Sequence, residues 1–194
     1  MTSSTSRPTL LHRMVDEAAL RHPELPAVRC DGATLSYEQL ARHANGLARV
    51  LLGTGLARRD RVAVLLGKGC NVPVGFYGVL ASGGTLVPID PKSPVEQVVR
   101  ILKTTGATHL VSEPGRRDVV RNALATCPDV SHVIGLESED GMPFRCHPWG
   151  EVSGEASDRQ PDVATIDLDP AYVLHTSGST GVPKLIRHTH RSAM

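Results

Sequence analysis

Apolar and polar residues follow two different periods along the chain, and the period indicates the type of element. Apolar positions spaced three and four residues apart predict helices, whereas short continuous apolar runs predict strands that are covered on both faces. The predicted helices are 10–21, 71–81, 95–105, 118–125 and one that runs from residue 36 to Gly53 or Gly55. The predicted buried strands are 61–66, 85–89, 109–111, 132–136 and 171–175.

Turn and cap residues mark the boundaries near the start of the chain. Asp31-Gly32 lies between two short β-prone runs, which predicts a β-hairpin with a two-residue turn. Ser36 is followed three residues later by Gln39. This spacing matches a capping box and predicts that a helix begins immediately after Ser36.

Helices and strands alternate with short connections over most of the chain. This alternation favours an α/β fold: a mostly parallel sheet built from βαβ units, with helices on both faces. Residues 137–169 differ, because they are polar and rich in Gly, Pro, Ser and Asp, with short apolar islands near Phe144 and Trp149. We expect this segment to be a surface loop excursion rather than a domain boundary, so that residues 1–194 form part of a single domain.

Composition narrows the classes of function. The 194 residues have a formal net charge of +1, and this balance argues against nucleic-acid binding as the main task. We find no apolar run of the length that a membrane span needs, and residues 1–8 lack the apolar core of a signal peptide, so we expect a cytoplasmic protein. The four cysteines are far apart in sequence, with no Cys-x-x-Cys pair, which favours separate reduced thiols over a zinc site or a redox motif.

The residues with the clearest chemistry form a glycine-rich loop after the last predicted strand. Small residues allow backbone N–H groups to converge on phosphate oxygens, while hydroxyls add donors and a lysine adds charge. The spacing is not that of a Walker loop, because Gly178 and Gly181 are three residues apart and Pro183 precedes Lys184. We therefore predict a phosphate-binding loop whose lysine does not open a helix; the alternative is a flexible linker. The predicted ligand-binding residues are Thr176, Ser177, Gly178, Ser179, Thr180, Gly181 and Lys184.

The loop also resembles a known motif. Residues 176–184 resemble the phosphate-binding core motif of the adenylate-forming superfamily, which includes acyl-CoA synthetases, aryl-acid ligases and the adenylation domains of nonribosomal peptide synthetases. Residues 35–40 and 80–90 resemble the first and second core motifs of that family, in the same order. The resemblance covers nearly the whole chain. It implies an N-terminal subdomain of the ligase fold that is incomplete, with the C-terminal domain absent.

The family resemblance implies a two-step reaction. ATP activates a carboxylic acid as an acyl-adenylate and releases pyrophosphate, and the acyl group then passes to the thiol of coenzyme A or of a carrier-protein phosphopantetheine. The resemblance implies that the loop holds the β and γ phosphates of ATP, with Mg²⁺ present in the complete enzyme, and that Lys184 neutralises phosphate charge. His190 stands where family members usually carry a histidine, which implies a place near the acyl substrate.

The class of acid stays open between amino acids and aryl acids. Leu185 replaces a common glycine, and the residues that follow look like those of aryl-acid ligases, whereas residues 87–91 look like those of amino-acid-activating domains. The family's magnesium, ribose and hinge residues belong to later motifs. We therefore expect a chain that is inactive alone and that works with a complementary C-terminal part, and possible partners include a carrier protein. Two alternatives are a non-catalytic interaction module and a small stand-alone ATPase.

Overall fold

Helices and strands alternate in the computed structural model, which describes residues 9–156, 159–176 and 184–194. The α-helices are α1 Leu11–Arg21, α2 Tyr37–Gly53, α3 Asn71–Ala81, α4 Val95–Thr105, α5 Arg117–Leu124 and α6 Trp149–Gly154. The strands are β1 Pro26–Cys30, β2 Ala33–Ser36, β3 Arg61–Val64, β4 Thr85–Pro88, β5 His109–Val111, β6 His132–Ile134, β7 Arg145–His147, β8 Pro170–Thr176 and β9 Lys184–Thr189. Short 3-10 helices span Pro114–Arg116 and Arg191–Ala193.

Seven strands form one sheet in the order β7-β6-β5-β3-β4-β8-β9. Every neighbouring pair is parallel except β8 and β9, which are antiparallel. The predicted α/β fold with a mostly parallel sheet is therefore confirmed. The antiparallel strand β9 was not predicted, because its residues have no continuous apolar run.

The central strand β3 is covered on both faces. Val62 and Val64 belong to one hydrophobic cluster together with Leu47 of α2, whereas Ala63 between them belongs to a second cluster with Leu102 of α4. Neighbouring side chains on a strand point to opposite faces, so helices pack on both sides of the sheet. This arrangement explains why the sequence of β3 is a continuous apolar run rather than an alternating one.

The predicted hairpin and helix cap are both present before the sheet begins. β1 and β2 pair antiparallel, and the turn residues Asp31 and Gly32 both have positive φ, at 48° and 80°. The Ser36 hydroxyl accepts a hydrogen bond from the Gln39 amide at 3.2 Å, and the Gln39 side chain accepts one from the Ser36 amide at 2.9 Å. These reciprocal bonds fix the start of α2.

The prediction that residues 137–169 form only a surface loop is wrong. This segment contributes β7, which extends the sheet beside β6, and α6, which packs on α2. Its apolar islands are buried, with Phe144 and Val152 exposed by only 7% and 1%. The sequence pattern does not predict these two elements, because β7 has three residues and α6 has six, too few to show a period. Their partners in the fold are also distant in sequence.

All four cysteines are free thiols, as the sequence analysis expected. Within the described parts of the chain, no helix has both the length and the apolar character that crossing a bilayer demands.

Candidate functional site

The connections that follow β3 and β4 run in opposite directions across the sheet, and this reversal creates a crevice between the two strands. The connection from β3 through α3 leads outward to β4, whereas the connection from β4 through α4 returns across β3 to β5. Neighbouring strands whose connections leave in opposite directions part at their carboxyl ends, where open α/β sheets bind ligands. A cleft of about 650 Å³ lies there, lined by residues that follow both strands.

The cleft carries mainly positive charge. Lys68, Lys92 and Arg116 line it, and Asp90 contributes the one carboxylate among the described residues that line the cleft. Asp90 also shapes the turn after β4, because its Oδ1 accepts the Lys92 amide at 2.8 Å, which fits the role of a turn-forming residue. The cleft therefore suits an anionic ligand. Sequence analysis missed its basic residues, although their positions directly after predicted strands were an available signal.

The two ends of the glycine-rich loop lie side by side. β8 is parallel to β4, and its last residue, Thr176, pairs with Lys184, the first residue of β9. The loop thus leaves and re-enters the sheet at the carboxyl edge of the parallel strands. Lys184 is exposed and does not open a helix, as the sequence analysis predicted; it begins strand β9, which was not predicted. Among the predicted site residues, Ser177, Gly178, Ser179, Thr180 and Gly181 lie outside the described residues.

His190 lies at the opposite end of β9. Thr189, just before it, pairs with Pro170 at the amino end of β8, so β9 places about 17 Å between Lys184 and Thr189. The His190 side chain is buried, with 1% exposure, and its Nδ1 accepts a hydrogen bond from the Leu11 amide at 3.2 Å. The structure therefore does not bring His190 and Lys184 together, and a place for His190 near the acyl substrate stays a prediction.

Burial controls the charge of His190 and its neighbour. Burial lowers the pKa of His190, and the nearby carboxylates of Asp169 and Asp167 oppose this shift. The His12 ring meets the His190 ring edge-on, with 5.7 Å between the ring centroids. Burial, the His190 ring and Arg13 together lower the pKa of His12 to about 3. Both imidazoles are thus neutral near pH 7 and join α1 to the end of β9.

A buried carboxylate that sequence analysis missed fixes the amino end of the β8–β9 hairpin. Asp169 is 1% exposed and accepts hydrogen bonds from Arg58, from Arg59 and from the Ile166 amide. Burial by itself would raise the pKa of Asp169, but these donors outweigh it and hold that pKa well below its usual value. The Asp169 carbonyl also accepts the His190 amide at 3.1 Å. No local pattern connects Asp169 to Arg58, which lies 111 residues earlier.

The described residues do not assemble a metal site. Within these parts of the chain, no group of three or more His, Cys, Asp and Glu side chains is placed to hold a metal ion. His188 stacks on Tyr172 with 4.7 Å between the ring centroids, while His190 is buried against α1. The Mg²⁺ that the sequence resemblance implies therefore has no set of carboxylate, imidazole or thiolate ligands among the described residues.

Comparison with known proteins gives a consistent picture. A family model described as AMP-binding enzyme matches residues 15–194. Phosphinothricin tripeptide synthetase PhsC of Streptomyces viridochromogenes is 33% identical, and the match covers 93% of this chain and 15% of that protein.

Solved structures extend the comparison to the fold. The apo structure of Mycobacterium smegmatis MbtA superposes with a TM-score of 0.80 at 30% identity, and the match covers 96% of this chain and 34% of that one. The nonribosomal peptide synthetase FmoA3, solved with α-methyl-L-serine-AMP bound, gives a TM-score of 0.74 at 30% identity over 96% of this chain and 19% of that one. The chain thus spans a small part of the length of the relatives that it matches.

Proposed function

The chain belongs to the AMP-binding enzyme family, and from this premise we propose that it supplies the ATP-phosphate loop for activation of a carboxylic acid as an acyl-adenylate. The acid is an amino acid or an aryl acid. The acyl group then passes to the thiol of a carrier-protein phosphopantetheine or of coenzyme A. The observation that carries the proposal is the pairing of Thr176 with Lys184 at the carboxyl edge of the sheet, which holds both ends of the glycine-rich loop together.

The chemistry of the first step matches this placement. When the carboxylate attacks the α-phosphate of ATP, negative charge accumulates on the departing pyrophosphate, and positioned donors and cations lower the energy of that transition state. The ammonium group of Lys184 supplies one positive charge at the base of the loop. The hydroxyls and backbone N–H groups of Ser177, Ser179 and Thr180 supply donors. The basic cleft between β3 and β4 opens at the same carboxyl edge and adds positive potential there.

Relatives favour an amino acid as the substrate. FmoA3 was solved with an amino-acyl adenylate, α-methyl-L-serine-AMP, and is 30% identical to this chain. The relative from Streptomyces viridochromogenes is named as a tripeptide synthetase. A panel that contains both amino acids and aryl acids therefore serves as the substrate test. Exchange with aryl acids alone would identify the other class.

The decisive assay is acid-dependent exchange of labelled pyrophosphate into ATP by the full-length protein that carries this chain. We expect Lys184→Ala to reduce exchange by about tenfold or more, because it removes a charge-assisted contact to phosphate. Lys103→Ala is the matched control, since Lys103 is exposed on α4, away from the loop. Equal exchange by the Lys184 and Lys103 variants would contradict the proposed role of the loop.

We propose further that residues 1–194 alone do not catalyse exchange. Support comes from length, because the match covers only 34% of the MbtA chain. The same assay on residues 1–194 tests this, and exchange above background would contradict it. Calorimetry with ATP separates the alternative: a non-catalytic interaction module would bind a protein partner stably and would show no ATP binding that depends on Lys184.

A further inference from the structure

A second basic cleft lies beside the β8–β9 hairpin, at the edge of the sheet where the parallel strands begin. It has a volume of about 390 Å³ and is lined by residues from the starts of β3, β4 and β8, the end of α4, and β9. Three arginines dominate its surface: Arg59, Arg61 and Arg187. Among the described residues, no acidic side chain lines it.

Arg59 is held in a strained backbone conformation. Its φ is +71°, a left-handed value that costs free energy for a residue with a side chain. The surroundings fix it there, because its amide donates to the Gly83 carbonyl at 2.8 Å and its carbonyl accepts from the Thr85 hydroxyl. Its Nε bonds to the buried Asp169 carboxylate at 2.8 Å, while 55% of the side chain is exposed. The Arg59 guanidinium is therefore positioned in advance at the edge of the cleft.

Arg61 is positioned in a different way. Its Nε donates to the Thr105 carbonyl at 3.0 Å, and a terminal nitrogen donates to the Gly106 carbonyl at 2.7 Å. Carbonyl partners orient a guanidinium without cancelling its charge. The full positive charge of Arg61 thus remains available at the cleft.

Arg187, the third cation of the cleft, is exposed on β9. It pairs in the ladder with Val173, and its side chain has no hydrogen bond or ion pair with any described residue. Two carboxylates lie nearby: Asp60, which accepts the Ala57 amide, and Asp169, which is shared by Arg58 and Arg59. The arginines at the cleft therefore outnumber the nearby carboxylates, and the cleft keeps a net positive charge.

From this arrangement we infer that the cleft, formed by Arg59, Arg61 and Arg187, is a binding site for a small oxyanion of the phosphate or pyrophosphate type. Guanidinium groups present paired N–H donors that match the spacing of oxygens on phosphate. An anion bound there would connect β9 to the start of β3. The site is separate from the glycine-rich loop, because Lys184 and Arg187 lie three residues apart on β9 and their side chains therefore point to opposite faces of the sheet.

The test is a titration of residues 1–194 with inorganic pyrophosphate, in which binding is monitored through the NMR chemical shifts of the backbone amides. We expect saturable shifts at Thr85, Thr105 and Leu185, around the cleft. Arg187→Gln should weaken this binding by about tenfold or more, since it removes a charge-assisted contact. The affinity of Arg187→Lys should lie between those of the wild type and Arg187→Gln, because lysine keeps the charge and loses the paired donors.

Two variants serve as controls. Arg100→Gln removes the same charge from an exposed position of α4 that does not line the cleft, and should leave the affinity unchanged. Lys184→Ala should leave the pyrophosphate-induced shifts at Thr85 and Thr105 intact, because the Lys184 side chain lies on the opposite face of β9 from the cleft. The inference is overturned if these shifts do not saturate, if the Arg100 and Arg187 variants weaken binding equally, or if Lys184→Ala abolishes the shifts.

Discussion

Arg58 donates hydrogen bonds to both carboxylate oxygens of Asp169, from Nε to Oδ2 at 2.7 Å and from a terminal nitrogen to Oδ1 at 2.9 Å. The pair joins the connection between α2 and β3 to the residue just before β8. A bidentate pair of this kind fixes orientation as well as distance. The amino end of the hairpin that carries the glycine-rich loop is thereby tied to the centre of the sheet.

Removing the Asp169 charge should destabilise the fold. Asp169→Asn leaves Arg58 and Arg59 without their shared carboxylate, and breaking a buried ion pair on one side costs on the order of 3 kcal/mol. The arginines are partly exposed, at 36% and 55%, so water offsets part of the loss. Urea unfolding measures the change. Asp167→Asn is the control: its partner Arg191 is 65% exposed, and we expect a loss below about 1 kcal/mol. Equal losses would contradict the anchoring role of Asp169.

Asp169 should also contribute to acid sensitivity. Its pKa in the folded state lies below the value of about 4 expected for the unfolded chain. The contribution is therefore fully present above that unfolded pKa and is lost as the pH falls below it. Unfolding free energies measured between pH 5 and pH 2 should fall less steeply for Asp169→Asn than for the wild type. Parallel profiles for the two proteins would rule this contribution out.

His12 should produce a second pH effect, in a higher range. Its folded pKa is about 3, below the value of 6.5 for a free imidazole, so protonation favours the unfolded chain. The stabilisation is complete above pH 6.5 and is lost as the pH falls toward 3. The shift corresponds to a free energy on the order of 5 kcal/mol.

The variant His12→Phe isolates this effect. Phenylalanine keeps a ring against His190 and cannot be protonated, so its stability should decline less between pH 6.5 and pH 4 than that of the wild type. His22→Gln alters an exposed histidine just after α1 and should leave the profile unchanged. An unchanged slope in His12→Phe would show that the buried imidazole does not carry the effect.

Local signals in the sequence were sufficient for most of the elements. The bounds of α3, α4 and β5 agree with their prediction, because each has a clear apolar pattern and a terminating residue such as Gly106, whose φ is +62°. The strands β7 and β9 could not be predicted, since both are short or polar and exist through pairing with distant strands.

The residues of the candidate site likewise fall into those that local sequence predicts and those that it does not. The positions of Thr176 and Lys184 at the carboxyl edge follow from one strand and the loop after it, so sequence reasoning reached them. Asp169, Arg58 and the clusters of basic residues depend on segments more than a hundred residues apart or on different strands, and no local pattern brings them together.

The capping box offers a precise test of a local interaction. Ser36→Ala removes the acceptor for the Gln39 amide and should lower the free energy of unfolding by about 1 kcal/mol. Ser36→Gly should cost only a few tenths of a kcal/mol, because glycine is a tolerated N-cap. Thermal or urea unfolding of both variants gives the comparison. A glycine variant less stable than the alanine variant would show that the Ser36 cap does not govern the start of α2.

Gly46 provides a case in which helix propensity and packing predict opposite signs. Within an α-helix, replacing Gly by Ala normally stabilises by up to about 1 kcal/mol. A Cβ at Gly46 would overlap the Val152 carbonyl oxygen, so α6 would have to move away from α2. Overpacking of this kind costs about 1–3 kcal/mol, and we therefore expect Gly46→Ala to be destabilising in urea unfolding. Gly53→Ala, at the end of the same helix, would place its Cβ with no atom within 4 Å and should be neutral or slightly stabilising. If both variants gained stability, the close contact between α2 and α6 would be refuted.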